Sequence, residues 1–225
     1  MNRCGALVAG LLWVLCIAMV RAEDASSQWE AAFPTRNAPQ QVYFRAGYHD
    51  DFGRTHRLEV WREADLRLRR RTDEAIDLYV EKSQSGEYEY RLIDHDRKLL
   101  IRADRTTLYR VGIFSDWIGL AHVLKVPRGG YRVTAATRQS PASRRGECVW
   151  KRLERLMPVS STTEVCWSSA WGLPLEIGAP SGKDGWESRF SVQEVGTFAP
   201  KPEIFALARE GLVEIDAGPD GEVSD

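Results

Sequence analysis

Short segments in which apolar and polar residues alternate recur through most of this 225-residue chain. The clearest runs from residue 58 to 69, with Leu58, Val60, Arg62, Ala64, Leu66 and Leu68 on one face and Glu59, Trp61, Glu63, Asp65, Arg67 and Arg69 on the other. A period of two predicts a strand with one face on a core and one face in water. The buried set is then Leu58, Val60, Leu66 and Leu68, and the exposed set includes Glu59, Glu63 and Arg67.

Similar segments precede and follow this strand. Residues 41–61 predict a hairpin that turns at Asp50-Asp51-Phe52-Gly53. Further strands are expected at 75–82, 88–96, 98–104, 106–112, 131–137, 147–155, 162–169, 173–177 and 186–195. Roughly ten short strands with so few helices favour a curved antiparallel sheet, because a large open sheet twists and leaves a face to cover. The fold class is therefore mainly β.

One segment has a helical period instead. Phe114, Trp117, Ile118, Ala121 and Leu124 fall at helical spacing, after a candidate N-cap at Ser115 and before Pro127-Arg128-Gly129-Gly130. A helix with so much apolar surface is usually buried. We expect it to cover the sheet, either as a plug of the core or as a lid that bends at nearby glycines. Shorter helices are predicted near residues 27–33 and 203–210, and residues 217–225 form a loose acidic tail.

The first 22 residues indicate export. Arg3 precedes an uncharged, mostly apolar run over residues 5–20, and Val20-Arg21-Ala22 suits a signal peptidase. We expect cleavage near Ala22, a single domain over 23–216, and a periplasmic or secreted location. An uncleaved N-terminal anchor is the alternative. Leu15 stands before Cys16 where a lipobox has Gly or Ala, so lipidation is not expected.

Export leaves one pair of cysteines, Cys148 and Cys166. A lone pair in an oxidising compartment predicts a disulfide, which for a loop of this size would stabilise the fold by about 3 kcal/mol. A metal or redox pair is the alternative, but no His lies between residues 123 and 225 and the spacing is not C-x-x-C. The net charge of −1 becomes about −3 once the signal is removed, which gives no reason to expect a nucleic-acid partner.

Signals for catalysis are weak. His49, Asp50, Asp51 and His56 could hold a metal, but turn chemistry explains Asp50-Asp51-Phe52-Gly53 without one. The segment 178–184, GAPSGKD, lacks the spacing of a phosphate loop. The basic run 67–71 predicts a solvated strand face, with docking to an anionic partner as the alternative. We therefore predict no enzyme, no cofactor and no metal site.

The C-terminal half carries a resemblance to a known family. The segments CVWKRLE, EVCWSSAWGLPLEI and WESRFSVQEVGTFAP, with Leu173-Pro174-Leu175 and Arg189-Phe190 at matching places, resemble the LolA-like half-barrel superfamily. That group includes periplasmic lipoprotein carriers, LppX-type lipid-binding lipoproteins and RseB-type envelope-stress regulators. The resemblance implies a half-barrel with an apolar ligand cavity. Trp167 and Trp171 would then fill the core at the end of a strand, or contact the ligand.

These observations lead to a hypothesis about function. We predict a non-enzymatic binding protein that holds a lipid or a lipoprotein acyl chain between the sheet and the helix. The predicted ligand-binding residues are Leu58, Val60, Leu66, Leu68, Phe114, Trp117, Ile118, Ala121 and Leu124. The alternative is an RseB-like sensor that binds a membrane-protein partner, and a third reading is a structural domain with a filled core.

Overall fold

A computed structural model describes residues 28–104, 117–182 and 185–217. The predicted signal peptide, the predicted strand at 106–112, Phe114, Ser115 and the acidic tail beyond 217 lie outside these ranges. The helices are α1 (residues 28–32), α2 (Trp117–His122), α3 (Pro141–Arg144) and α4 (Pro202–Phe205). The strands are β1 (Gln41–His49), β2 (Thr55–Glu63), β3 (Arg67–Thr72), β4 (Ile76–Lys82), β5 (Tyr88–Asp94), β6 (Leu99–Ala103), β7 (Tyr131–Ala135), β8 (Val149–Arg155), β9 (Ser161–Ser168), β10 (Leu173–Ser181), β11 (Gly185–Gly196) and β12 (Val213–Asp216).

The strands form one open sheet in the order β12-β6-β5-β4-β3-β2-β1-β11-β10-β9-β8-β7. Every neighbouring pair is antiparallel except β12 and β6, which are parallel. The mainly β half-barrel class predicted from the sequence is confirmed. The sheet has twelve strands within the described ranges rather than roughly ten, because β3 and β12 were not predicted as separate strands.

The segment 58–69 is not one strand but two. β2 ends at Glu63, residues 64–66 turn, and β3 returns beside it from Arg67. Leu58, Val60 and Leu68 are buried as predicted. Leu66 was predicted to be buried and to bind ligand, and that prediction of burial is wrong. Its side chain is 52% exposed because it sits in the turn.

The predicted outer residues of this hairpin are half-buried and paired. Glu59 accepts a hydrogen bond from Arg57 at 2.8 Å, and Glu63 accepts one from Arg67 at 2.6 Å. The Arg57–Glu59 pair lies within β2, whereas the Glu63–Arg67 pair joins β2 to β3. A cross-strand ion pair stabilises a sheet by roughly 0.2 to 1 kcal/mol. The charged face is therefore neutralised locally.

The disulfide between Cys148 and Cys166 is confirmed, with the two Cα atoms 5.3 Å apart. It joins the start of β8 to the neighbouring strand β9. Nearby, Trp167 packs edge-on against Phe33 at 5.3 Å and donates a hydrogen bond to the carbonyl of Pro34 at 3.1 Å. Trp167 is thus a core side chain that holds the segment after α1 onto the sheet.

The C-terminal segment, residues 202–212, covers β3 to β6 on the side of the sheet opposite to α2. Leu207 and Leu212 pack against a buried cluster of Tyr79, Ile93 and Leu100. The helix predicted over 203–210 is confirmed only as the single turn of α4, and the chain then continues into β12. We call this side of the sheet the outer face, and the side that carries α2 the helix face.

Candidate functional site

The helix α2 covers one face of the sheet, as predicted from its apolar residues. Trp117, Leu120 and Ala121 are buried, and they belong to one core cluster with Leu58, Val60 and Leu68. The indole of Trp117 stacks on the ring of Tyr88, with centroids 4.8 Å apart and planes 8° from parallel. Large buried aromatic pairs contribute strongly to core stability. In this structure the helix therefore acts as part of the core.

A buried arginine holds the C-terminal end of this helix. Arg62 is 3% exposed and donates to the carbonyls of Ala121 at 3.0 Å and Trp171 at 3.3 Å. Its Nη1 also lies 2.9 Å from Nδ1 of His122. Burial lowers the pKa of Arg62 to about 10, so it stays charged at neutral pH. Within the described part of the chain, no carboxylate pairs with it.

His122 joins the helix to the turn before β10. Its Nδ1 lies 2.6 Å from the carbonyl oxygen of Gly172, as well as close to Arg62. Only a protonated Nδ1 can donate to Gly172, and only a bare Nδ1 can accept from Arg62. Burial, together with the charge of Arg62, lowers the pKa of His122 to about 4. The imidazole is therefore neutral at physiological pH.

Two clefts flank the helix. The first cleft, of about 320 Å³, lies between the helix and the segment after α1; its walls are Trp29, Glu30, Phe33, Pro34, Thr35, Arg36, Ile118, His122 and Val126. The second cleft, of about 300 Å³, lies between the helix and the sheet; its walls are Tyr48, Leu58, Arg70, Gly119, Val123, Lys125, Ile177, Arg189 and Phe190. Sites for small ligands usually begin near 300 Å³. Each cleft is at that lower limit.

The basic run 67–71 is divided between the two faces of the sheet. On the outer face Arg69 and Arg71 pair with the buried carboxylate of Asp77, at 2.9 and 3.2 Å. Arg67 lies there too, with its guanidinium 4.4 Å from the ring centroid of Phe205. The side chain of Arg70 points to the helix face instead and lines the second cleft. The prediction of a single solvated basic face is wrong, since the direction of each side chain follows its register in β3.

The predicted ligand-binding residues come together only in part. Leu58 lines the second cleft and Ile118 lines the first. Val60, Leu68 and Ala121 are fully buried in the core. Leu124 lies beyond the end of the helix and packs near Trp29 and its neighbours. Contact with a ligand stays a prediction for all of them.

The sequence did not single out Arg62 and His122. It marked Arg70 only as part of the basic run 67–71 and Arg189 only in the family resemblance, and it placed neither of them beside a cleft. A signal existed for Arg62 and Arg70, because both occupy inward positions of an alternating pattern. A charged residue at an inward position is costly unless it has partners or faces a cavity. The local sequence did not distinguish an arginine that is buried with partners, such as Arg62, from one that faces a cleft, such as Arg70.

Of the candidate metal residues in the first hairpin, His56 and Asp50 contact each other, and His56 also contacts Asp73. His56 lies 2.5 Å from Asp73 and 3.3 Å from Asp50, which raises the pKa of its imidazole, with the hydrogen bond to Asp73 the main cause. Over residues 28–104, 117–182 and 185–217, no three His, Cys, Asp or Glu side chains are grouped so that they could hold a metal. In the same ranges, none of the helices has the length and apolar character needed to cross a membrane.

No protein-family model and no curated protein matches this chain. Among solved structures, it is similar to the crystal structure of MucB, with 17% identity and a TM-score of 0.42 over 84% of this chain and 64% of that one. It is also similar to the Pseudomonas aeruginosa MucA/MucB complex, with 18% identity and a TM-score of 0.44 over 82% and 61%. The chain thus spans less than two thirds of the length of these proteins. At this identity and TM-score the similarities carry no conclusion about fold, ligand or partner.

Proposed function

We propose that this chain is an exported, non-enzymatic binding protein that holds an apolar chain beside α2. The observation that carries the proposal is the pair of clefts of about 320 and 300 Å³ that flank a buried helix. Both clefts have walls that combine apolar side chains with a few polar groups, which is typical of sites for small organic ligands. Such binding needs no covalent chemistry.

The energetics are adequate for a reversible carrier. Each methylene group removed from water contributes about 0.8 kcal/mol before the costs of immobilisation. An acyl chain of about ten carbons would therefore gain several kcal/mol of affinity, even if only part of it enters a cleft. The occupant we infer is a short stretch of lipid or lipoprotein acyl chain.

The test is a binding titration with an uncharged apolar probe, a fluorescent fatty alcohol, on the folded mature protein. We expect saturable binding that weakens in Ile118→Glu or in Val123→Glu, which place a charge in the first and second cleft respectively. Val149→Glu is the matched control, because Val149 is 60% exposed and lines neither cleft. Absence of saturable binding by the wild type would contradict the carrier function.

A second candidate is a sensor that binds a partner protein of the envelope. It is favoured by the turn between β8 and β9, where Leu156, Met157 and Val159 are 50%, 63% and 66% exposed. Neighbouring exposed apolar side chains often mark interaction sites. MucB has been solved together with MucA, and for this chain a membrane-protein partner is a proposal. A photo-crosslinker at Met157 should capture one defined partner in the native envelope, whereas one at Glu187 should not.

The location is part of the same proposal. The disulfide suits an oxidising compartment, and the N-terminal segment has the pattern of a signal peptide. N-terminal sequencing of exported protein should begin at or near Glu23. Intact Met1 in a membrane fraction would instead indicate an uncleaved anchor.

A further inference from the structure

The two clefts beside α2 differ in charge. In the first cleft Glu30 and Arg36 form an ion pair at 3.1 Å, so its walls are close to neutral. The second cleft is lined by three cationic side chains, Arg70, Lys125 and Arg189. None of the described residues that line it is acidic. Arg70 and Arg189 therefore give the second cleft a positive charge that the first lacks.

Arg70 gives this charge a fixed position. It projects from β3 into the cleft, where its side chain is partly buried. Burial lowers the pKa of the guanidinium, and a hydrogen bond to the phenol of Tyr48 acts in the opposite direction. Among the residues that the structure describes, Tyr48 is its hydrogen-bond partner and no carboxylate pairs with it. A desolvated guanidinium held by a neutral phenol has capacity left for an anion.

The rest of the cleft is arranged around this guanidinium. Leu58, Ile177 and Phe190 supply an apolar wall from three different strands of the sheet. Arg189 lies at the edge, 57% exposed, and its contact with Glu187 is long at 3.8 Å. A long ion pair between exposed side chains is weak, so Arg189 can turn to an incoming anion at little cost. The cleft thus combines an apolar wall with cationic groups on one side.

We propose that the second cleft binds a single-chain anionic amphiphile, with its carboxylate or phosphate on Arg70 and its chain against the apolar wall. Arg189 and Lys125 complete the recognition of the head group from the edge of the cleft. This assignment rests on the proposed function, and it adds the charge of the ligand and the residues that select it. It also gives a role to the one arginine of the basic run that faces inward.

The experiment compares decanoate, decan-1-ol and inorganic phosphate by calorimetry on the folded mature protein. The wild type should bind decanoate about tenfold more tightly than decanol, since a hydrogen bond to a charged group is worth that factor or more. Arg70→Gln should remove this preference. Arg132→Gln is the matched control, because it deletes the same charge from an exposed position of β7 that lines neither cleft. It should leave the preference unchanged.

The outcomes separate this inference from the proposed function. Equal binding of decanoate and decanol by the wild type overturns the anionic site but leaves the apolar binding protein. Absence of binding by both compounds overturns both. Competition by inorganic phosphate as strong as by decanoate would show a site for free anions, and would overturn the amphiphile. If Arg70→Gln does not unfold cooperatively, Arg189→Gln and Lys125→Gln are used instead, and a decanoate affinity unchanged in both contradicts the proposal.

Discussion

Acidification should destabilise this protein through His122 before its carboxylates titrate. In the folded chain the pKa of His122 is lowered to about 4 by burial and by the charge of Arg62, whereas its ordinary value is 6.5. The unfolded chain therefore binds a proton at a higher pH than the folded chain does. The stability that the neutral imidazole contributes is complete above pH 6.5 and is lost as the pH falls from 6.5 towards 4.

The size of the loss follows from the two pKa values. A difference of one pKa unit corresponds to about 1.4 kcal/mol, so the loss should reach about 2 kcal/mol at pH 5 and about 3 kcal/mol at pH 4. The informative range is pH 7 to 5, because below it the carboxylates of Asp77 and Glu164 also begin to lose their paired state. The measurement is urea unfolding of the wild type and His122→Gln at half-unit steps in that range.

Substitutions at His122 and His56 should change the pH dependence of stability in opposite directions, because the pKa of His122 is lowered and that of His56 is raised. In His122→Gln, the free energy of unfolding should decrease less between pH 7 and 5 than in the wild type. His56 has a raised pKa, so its stabilisation is present at low pH and lost as the pH rises through that value. His56→Gln should therefore lose stability relative to the wild type mainly at the acidic end. Identical pH dependence in the wild type and His122→Gln would refute the argument.

Three further predictions concern the core. Cys148→Ser should unfold at a lower temperature, with a loss of about 3 kcal/mol, and the native wild type should show no titratable thiol before reduction; two free thiols would contradict the Cys148–Cys166 bridge. Val60→Asp should cost about 3 to 5 kcal/mol because it buries an unpaired charge, whereas Leu66→Asp in the exposed turn should change the urea midpoint little; equal effects would contradict the register of the hairpin. Trp117→Ala should cost about 3 to 5 kcal/mol in the same assay, and a loss below 1 kcal/mol would show that α2 is not part of the core.

The sequence predicted most of the sheet because a strand with one buried face has to alternate. Most of the predicted strands are present in the described ranges, and the lone cysteine pair is bonded. β12 was not predicted because it pairs in parallel with β6. Parallel partners lie far apart in the chain, so no turn signal marks them.

The turn between β2 and β3 was missed for a different physical reason. The inward residues continue at even positions on both sides of it, from Val60 to Leu68, so the alternation passes through the turn without a break. The turn contains no Gly, Pro or Asn, and Ala64 adopts a φ of 47° in the left-handed region instead. That conformation is uncommon outside glycine. The residues of the turn therefore did not indicate a turn, and Leu66 was predicted to be buried although it is exposed.

The helix was interpreted from its sequence as a plug or a lid, and the structure connects the two interpretations. Movement of α2 away from the sheet would break the contacts of Arg62 with Ala121 and His122 and the contact of His122 with Gly172. It would also separate Trp117 from Tyr88. Buried charged hydrogen bonds and aromatic contacts make that opening costly. Both clefts, however, already exist beside the closed helix. A ligand can therefore enter either one while the helix remains in the core, so binding by this fold does not require the helix to open.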